Sequence, residues 1–243
     1  MSAARDRYLE EIGIPVWRLR ATASAATPLQ AQEAPVVSGV AEAPSFSAPA
    51  TSALQPGADE WSELKAKVSA CMLCGLHKSR TQTVFGVGRR DAQLFVIGEA
   101  PGADEDRQGE PFVGRAGQLL NAMLRAIGLP RSEVYIANIL KCRPPGNRDP
   151  QPDESSSCTP YLAQQIALVQ PRVLMAVGRI AAQWLLQTDT PIGRLRGRVV
   201  PYGERNTPLV VTYHPAYLLR SPLDKAKAWT DLCKVRELLS QPS

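Results

Sequence analysis

The stretch LFVIGEAPGADEDRQGEPFVGRAGQLLNAMLRAIG, residues 94–128, decides how this chain folds. It opens on LFVIG, an apolar run short enough for a strand. A polar, glycine-rich and acidic loop follows. From 116 to 127 the apolar residues Leu119, Leu120, Met123, Leu124 and Ile127 recur at three- and four-residue spacing, which gathers them on one face of a helix. Gly128 and Pro130 end that helix. A strand that is apolar on both faces must be covered on both faces, and this is the condition of a parallel sheet between two helical layers.

The same pattern repeats outward from this unit. VYIANIL (134–140), VLMAV (173–177) and LVVTY (209–213) read as three further strands, and helical periods fill 61–70, 153–169, 178–186 and 222–239. The expected architecture is α/β, a three-layer α/β/α sandwich with a central four-stranded parallel sheet. Ligands of such sheets bind beyond the carboxyl ends of the strands. Three loops meet that condition, 99–112, 138–148 and 214–220, and polar and basic residues concentrate in all three.

Ahead of this body lie two segments of different character. Residues 1–20 form a short amphipathic peptide that carries Tyr8, Leu9, Ile12, Ile14, Trp17 and Leu19. Residues 21–60 are rich in Ala, Pro and Ser, too poor in apolar surface to offset their ordering entropy, and are read as a disordered linker. The folded domain is therefore expected over 61–243. Four Arg stand against seven Asp or Glu in 1–60, a net −3, whereas 24 Lys or Arg stand against 16 acids in 61–243, a net +8. A basic body on an acidic leader suits a polyanionic partner, although a solubilising surface explains the same charge. No apolar run is long enough for a membrane span, and the first residues, MSAARDRYLEEIG, lack the apolar core of a secretion signal. A cytoplasmic location with reduced cysteines is the expectation.

Five cysteines are present, at 71, 74, 142, 158 and 233. CMLC at 71–74 is a chelating knuckle, Cys142 follows the second strand, and Cys158 lies early in the next helix. Four soft thiolates converging on one centre would fit this layout. Zinc ribbons use two knuckles, whereas fifteen residues separate Cys142 from Cys158, so the spacing favours an iron–sulfur cluster over zinc. Buried free thiols are the remaining alternative, and for Cys233 the preferred one.

The loop at 98–120 lacks both the GK[ST] of a P-loop and the G-x-G-x-x-G fingerprint. Together with ANILKCRPPGNRDP (137–150) and HPAYLLR (214–220), it resembles the family 4 uracil-DNA glycosylases. That resemblance covers the body from about Trp61 onward. It implies that Cys71, Cys74, Cys142 and Cys158 hold a [4Fe–4S] cluster, and that the protein hydrolyses the N-glycosidic bond of flipped-out uracil in DNA, leaving an abasic site. Such chemistry needs an everted base, a stacking face, a reader of the base edge, a stabiliser of the departing oxygen and a placed water.

Each requirement has a candidate. Phe112 supplies the stacking face. Asn138 can donate to uracil O4 and accept from N3–H, the reverse of what cytosine presents. His214 can donate to uracil O2 as negative charge builds. Where better-known uracil-DNA glycosylases carry a catalytic Asp and a thymine-blocking Tyr, this loop has Ala100 and Gly102. Glu99 is then the first candidate to place the water. Glu105 would close over the base, and Gly98 and Ala100 are further candidates to bind it. Asp104, Asp106 and Glu110 are read as solvated, and His77 as structural. Leu218 and Leu219 could wedge into the vacated stack or equally form the first turn of the last helix, and Leu218 is the chosen candidate wedge. Arg143, Arg148, Arg196, Arg198 and Arg220 are candidate phosphate contacts.

The expected partner is uracil-containing DNA, single- or double-stranded, bound by a monomer. The peptide YLEEIGIPVWRLR resembles, more loosely, the clamp-loader-binding N-terminus of the bacterial DNA polymerase III psi subunit, which implies clamp-loader subunits as partners of residues 1–20. Two other classes stay open at this point. One is a non-catalytic DNA-binding replisome accessory protein of the same fold, and the other a zinc-bearing nucleotide hydrolase.

Overall fold

A computed structural model describes residues 58–241. The peptide expected at 1–20 and the linker expected at 21–60 lie outside the described residues, apart from 58–60, which open the first helix. That helix, α1 (Ala58–Ser69), is followed by β1 (Val87–Gly88), β2 (Leu94–Gly98), α2 (Ala103–Gln108), α3 (Arg115–Ala126), β3 (Tyr135–Asn138) and α4 (Pro152–Val169). Then come β4 (Val173–Val177), α5 (Arg179–Leu186), α6 (Ile192–Leu195), β5 (Val199–Tyr202), β6 (Thr207–Thr212), α7 (Pro215–Arg220) and α8 (Lys225–Ser240).

One six-stranded sheet runs in the order β1-β3-β2-β4-β6-β5. The four strands expected from the sequence, β3, β2, β4 and β6, are its adjacent parallel centre. Two antiparallel edge strands correct the expectation of four. β1 spans two residues, too few to show a period, and β5 is partly exposed and carries Pro201, which an edge strand tolerates.

Alternation along the central strands divides the core in two. Phe95, Ile97, Tyr135, Ala137, Leu174, Ala176, Leu209 and Val211 face α1, α4 and α5. Leu94, Val96, Ile136, Val173, Met175, Val177 and Val210 face α3, α7 and α8. Every residue of β2, β3 and β4 is buried, which is why these strands read as apolar runs, broken only by Asn138 at the end of β3. Since β3 and β4 flank β2 on opposite sides, the chain changes direction around the end of β2. A crevice opens there, beyond the carboxyl ends of the strands.

Candidate active site

Gly98 and Asn138 end β2 and β3 as register partners. The ladder runs on past both strands, with Ile139 N–H donating to the Gly98 carbonyl and Leu140 N–H to the Glu99 carbonyl, each at 3.0 Å. This holds Glu99 beside Asn138. A Cβ on Gly98 would stand 2.3 Å from Asn138 Oδ1 and 2.7 Å from the Phe112 ring. Glycine at 98 is therefore what lets the carboxamide and the aromatic ring approach one another. Asn138 is 2% exposed, and its Oδ1 has no hydrogen-bond partner within the protein. A buried acceptor without a partner is costly, and in a pocket it is the feature of a group reserved for a ligand.

Phe112 sits at φ 55°, a left-handed backbone that few side chains adopt. Two neighbours hold it there. Arg131 donates to the Phe112 and Pro111 carbonyls at 3.3 and 2.6 Å. Gly117 packs so closely beneath that a Cβ there would stand 1.8 Å from the Phe112 carbonyl oxygen.

His214 caps α7, its Nδ1 accepting from Ala216 N–H at 3.1 Å. That bond puts the ring proton on Nε2, leaving one free donor. The His214 and Phe112 rings are stacked, 5.7 Å between centroids and 29° between planes. Gly178, at φ 102°, lies against His214, where a Cβ would come within 3.1 Å of its Cβ and 3.2 Å of the ring's Cδ2.

Glu99, Ala100, Glu105, Phe112, Asn138, His214 and Arg220 share one cavity of about 510 Å³. Burial there acts oppositely on its two titrating groups. The Glu99 carboxyl is pushed up to about 7, chiefly by burial and further by the Asp149 charge, with Arg179 opposing. The His214 imidazole is pushed down to about 4 by burial and by the nearby Arg220, so it is neutral at physiological pH.

Several expectations change on contact with the structure. Leu218 is 1% exposed and packs in the core under α3 and α8, so it is no wedge; Leu219 (38% exposed) and Leu223 (92%) are the apolar side chains that face outward nearby. Glu105, expected to close over the base, lines the cavity and is held by the loop's own backbone. Its oxygens accept from Gly102, Val113 and Gly114 N–H at 3.0 to 3.2 Å, clasping both arms of the loop. Asp106 is buried rather than solvated, accepting from Thr81 N–H at 2.9 Å. Asp104, Glu105 and Asp106 form the first turn of α2, where the helix dipole favours negative charge. The acidity of the loop is thus largely a requirement of its fold. Arg196 binds the fully buried Asp231 and is structural. Arg148 pairs with Glu154 at 2.5 Å while lining the cavity, Arg143 bonds Asn147, and Arg198 and Arg220 are exposed.

Sequence reasoning missed Arg131, Gly117, Gly178 and Lys141. The only hint was Lys141 itself, a lysine inside the apolar run between Leu140 and Cys142.

Below the sheet end, Cys71, Cys74, Cys142 and Cys158 line a second cavity together with His77, Arg80 and Lys141. Among the described residues no three His, Cys, Asp or Glu side chains converge as they would on a single ion. Four thiol side chains lining one cavity are a soft donor set of the kind that an iron–sulfur cluster takes. The surroundings are cationic. Arg80 donates to Cys142 Sγ at 3.1 Å, and His77 Nδ1 lies 2.7 Å from the Cys74 carbonyl. Cys233 lies on α8, away from this group.

Fold and cavity together define a pocket that admits a flat polar ring at the strand ends of an α/β/α sandwich. Residues 85–233 match the family described as the Uracil DNA glycosylase superfamily, and the chain belongs to it. It is 43% identical over 182 residues to the type-4 uracil-DNA glycosylase of Archaeoglobus fulgidus, covering 72% of this chain and 92% of that one. Against the type-4 enzyme of Sulfurisphaera tokodaii the identity is 39% over 191 residues, 76% and 87% of the two chains. A type-5 enzyme, from Thermus thermophilus, is 36% identical over 118 residues, 42% and 53% of the chains. The type-4 group is the branch in which this chain falls.

Proposed function

We propose that this protein removes uracil from DNA and that the 510 Å³ cavity does the chemistry. The everted base would stack on Phe112, since any base offers a π face. The unpartnered Asn138 Oδ1 would accept from uracil N3–H while the amide nitrogen donates to O4. A cytosine would meet donor with donor there, and buried groups left unpaired exclude it strongly. As the bond from C1′ to N1 breaks, both electrons pass to uracil, and the neutral His214 donates from Nε2 to O2. A preorganised donor of this kind contributes roughly 2.7–4 kcal/mol. Water then forms the new bond at C1′ and gives its proton to Glu99, whose raised pKa suits a base. Exposed arginines, Arg198 and Arg220, would hold phosphates independently of sequence.

One observation supports this reading above the rest: a stacking ring, an unpartnered carboxamide acceptor and an imidazole donor share one cavity. The test is mass spectrometric detection of free base from oligonucleotides that carry uracil, cytosine or thymine at one site. Uracil alone should be released. Binding without release would favour an accessory protein.

The four cysteines fit a [4Fe–4S] cluster by donor chemistry and by their cationic neighbours. When bound, the cluster would supply a rigid cross-link between the knuckle after α1, the end of β3 and α4. A cytoplasmic location, where thiols stay reduced, follows from that use. Residues 1–20 would tether the enzyme to clamp-loader subunits. Failure of a peptide of residues 1–25 to retain those subunits in a pull-down would remove that tether.

A further inference from the structure

Lys141 follows β3 by three residues and is 1% exposed, among the largest fully buried side chains. Its Nζ donates to the Asn138 carbonyl and to Gln165 Oε1, both at 2.7 Å. Gln165 is itself anchored, donating to the Phe85 carbonyl at 2.9 Å and the Tyr135 hydroxyl at 3.2 Å. None of the ion pairs among the described residues includes Lys141. What faces it instead are the thiols of Cys158 and Cys142, and its backbone N–H donates to the Cys158 sulfur. A buried ammonium with no carboxylate is costly unless other anions balance it. Four cluster-bound thiolates would supply that balance.

We propose that Lys141 is a positioning residue that joins the four-cysteine site to the uracil-reading Asn138, its ammonium balancing the thiolates on one side and holding the Asn138 carbonyl on the other. This rests on the cluster reading above. It gives the cluster a defined route to the pocket: a single side chain that touches the cavity of the cysteines and the backbone of the residue reading the base.

The substitutions Lys141→Met and Lys141→Gln separate the two halves. Methionine fills similar volume with neither charge nor donor, and glutamine keeps a donor for the Asn138 carbonyl without the charge. In the purified full-length chain, both variants should lose iron to a chelator at least tenfold faster than the unaltered protein, read from the decay of visible absorbance. The kcat for uracil release should fall at least tenfold in Lys141→Met with KM unchanged, and less in Lys141→Gln. A residue that merely fills space gives a different result. Replacing a buried charge with an apolar isostere then leaves stability equal or higher, and both iron retention and kcat stay put. That result would overturn the proposal. Should Lys141→Met fail to fold, Lys141→Gln carries the test, and iron loss from it at the unaltered rate is refuting. An unaltered chain that carries neither iron nor sulfide sinks the cluster reading instead.

Discussion

The pH dependence of uracil release follows from two groups pushed in opposite directions within one cavity. An ordinary glutamate titrates at 4.5 and an ordinary histidine at 6.5, so in solution the imidazole would set the acid limb. Here burial raises Glu99 to about 7 and lowers His214 to about 4. If ionised Glu99 takes the proton from water, kcat must fall as the pH drops through about 7. At pH 6 roughly a tenth of Glu99 remains ionised, so the rate falls about tenfold per unit below that midpoint. His214 stays neutral through this whole range, because protonation would oppose burial and cost it the Ala216 N–H bond. Single-turnover release from a uracil-containing oligonucleotide, followed between pH 5 and 9, measures this. Glu99→Gln should abolish the limb near 7 and leave a slow, flat rate. A limb that survives in Glu99→Gln and disappears in a His214 variant would refute a role for Glu99 as the base.

Other outcomes follow from individual contacts. Phe112→Ala removes the stacking face, worth about 1–3 kcal/mol per base, and should lower kcat/KM roughly 5- to 150-fold; because Phe112 is buried in the core, the melting temperature should fall as well. Gly98→Ala drives a methyl into Asn138 and Phe112, so kcat should drop on the order of 10²-fold, with stability falling by about 1–3 kcal/mol in denaturant titrations. Arg196→Met strands the fully buried Asp231 and should cost about 3–5 kcal/mol of stability. The salt dependence of DNA binding by that variant should stay as before, since Arg196 is occupied inside the fold.

The central sheet was legible because its strands are buried on both faces and so read as apolar runs, with polar residues such as Asn138 and Thr212 confined to their ends. The edges were not, since two residues of β1 show no period and β5 mixes exposed valine with proline. Phe112, Asn138 and His214 were legible through the motifs they occupy, and all three meet. The two leucines of HPAYLLR were not distinguishable, because the phase of α7 is set by its packing on α3 and α8, and that phase turns Leu218 inward. Glu105 and Asp106 look alike in sequence. Their fates differ because the amides that claim them come from residues distant in the chain, Val113 and Gly114 for one and Thr81 for the other. Arg131 and Gly178 act through backbone and van der Waals contact, which leaves no pattern to read.

Three side chains would act on one everted base, and free uracil released by Asn138→Ala and His214→Ala tests this most directly. With folding and iron content shown to match the unaltered chain, each variant should release uracil at least 10²-fold more slowly while still binding DNA. Release at the unaltered rate by either variant would place the chemistry elsewhere and contradict the account.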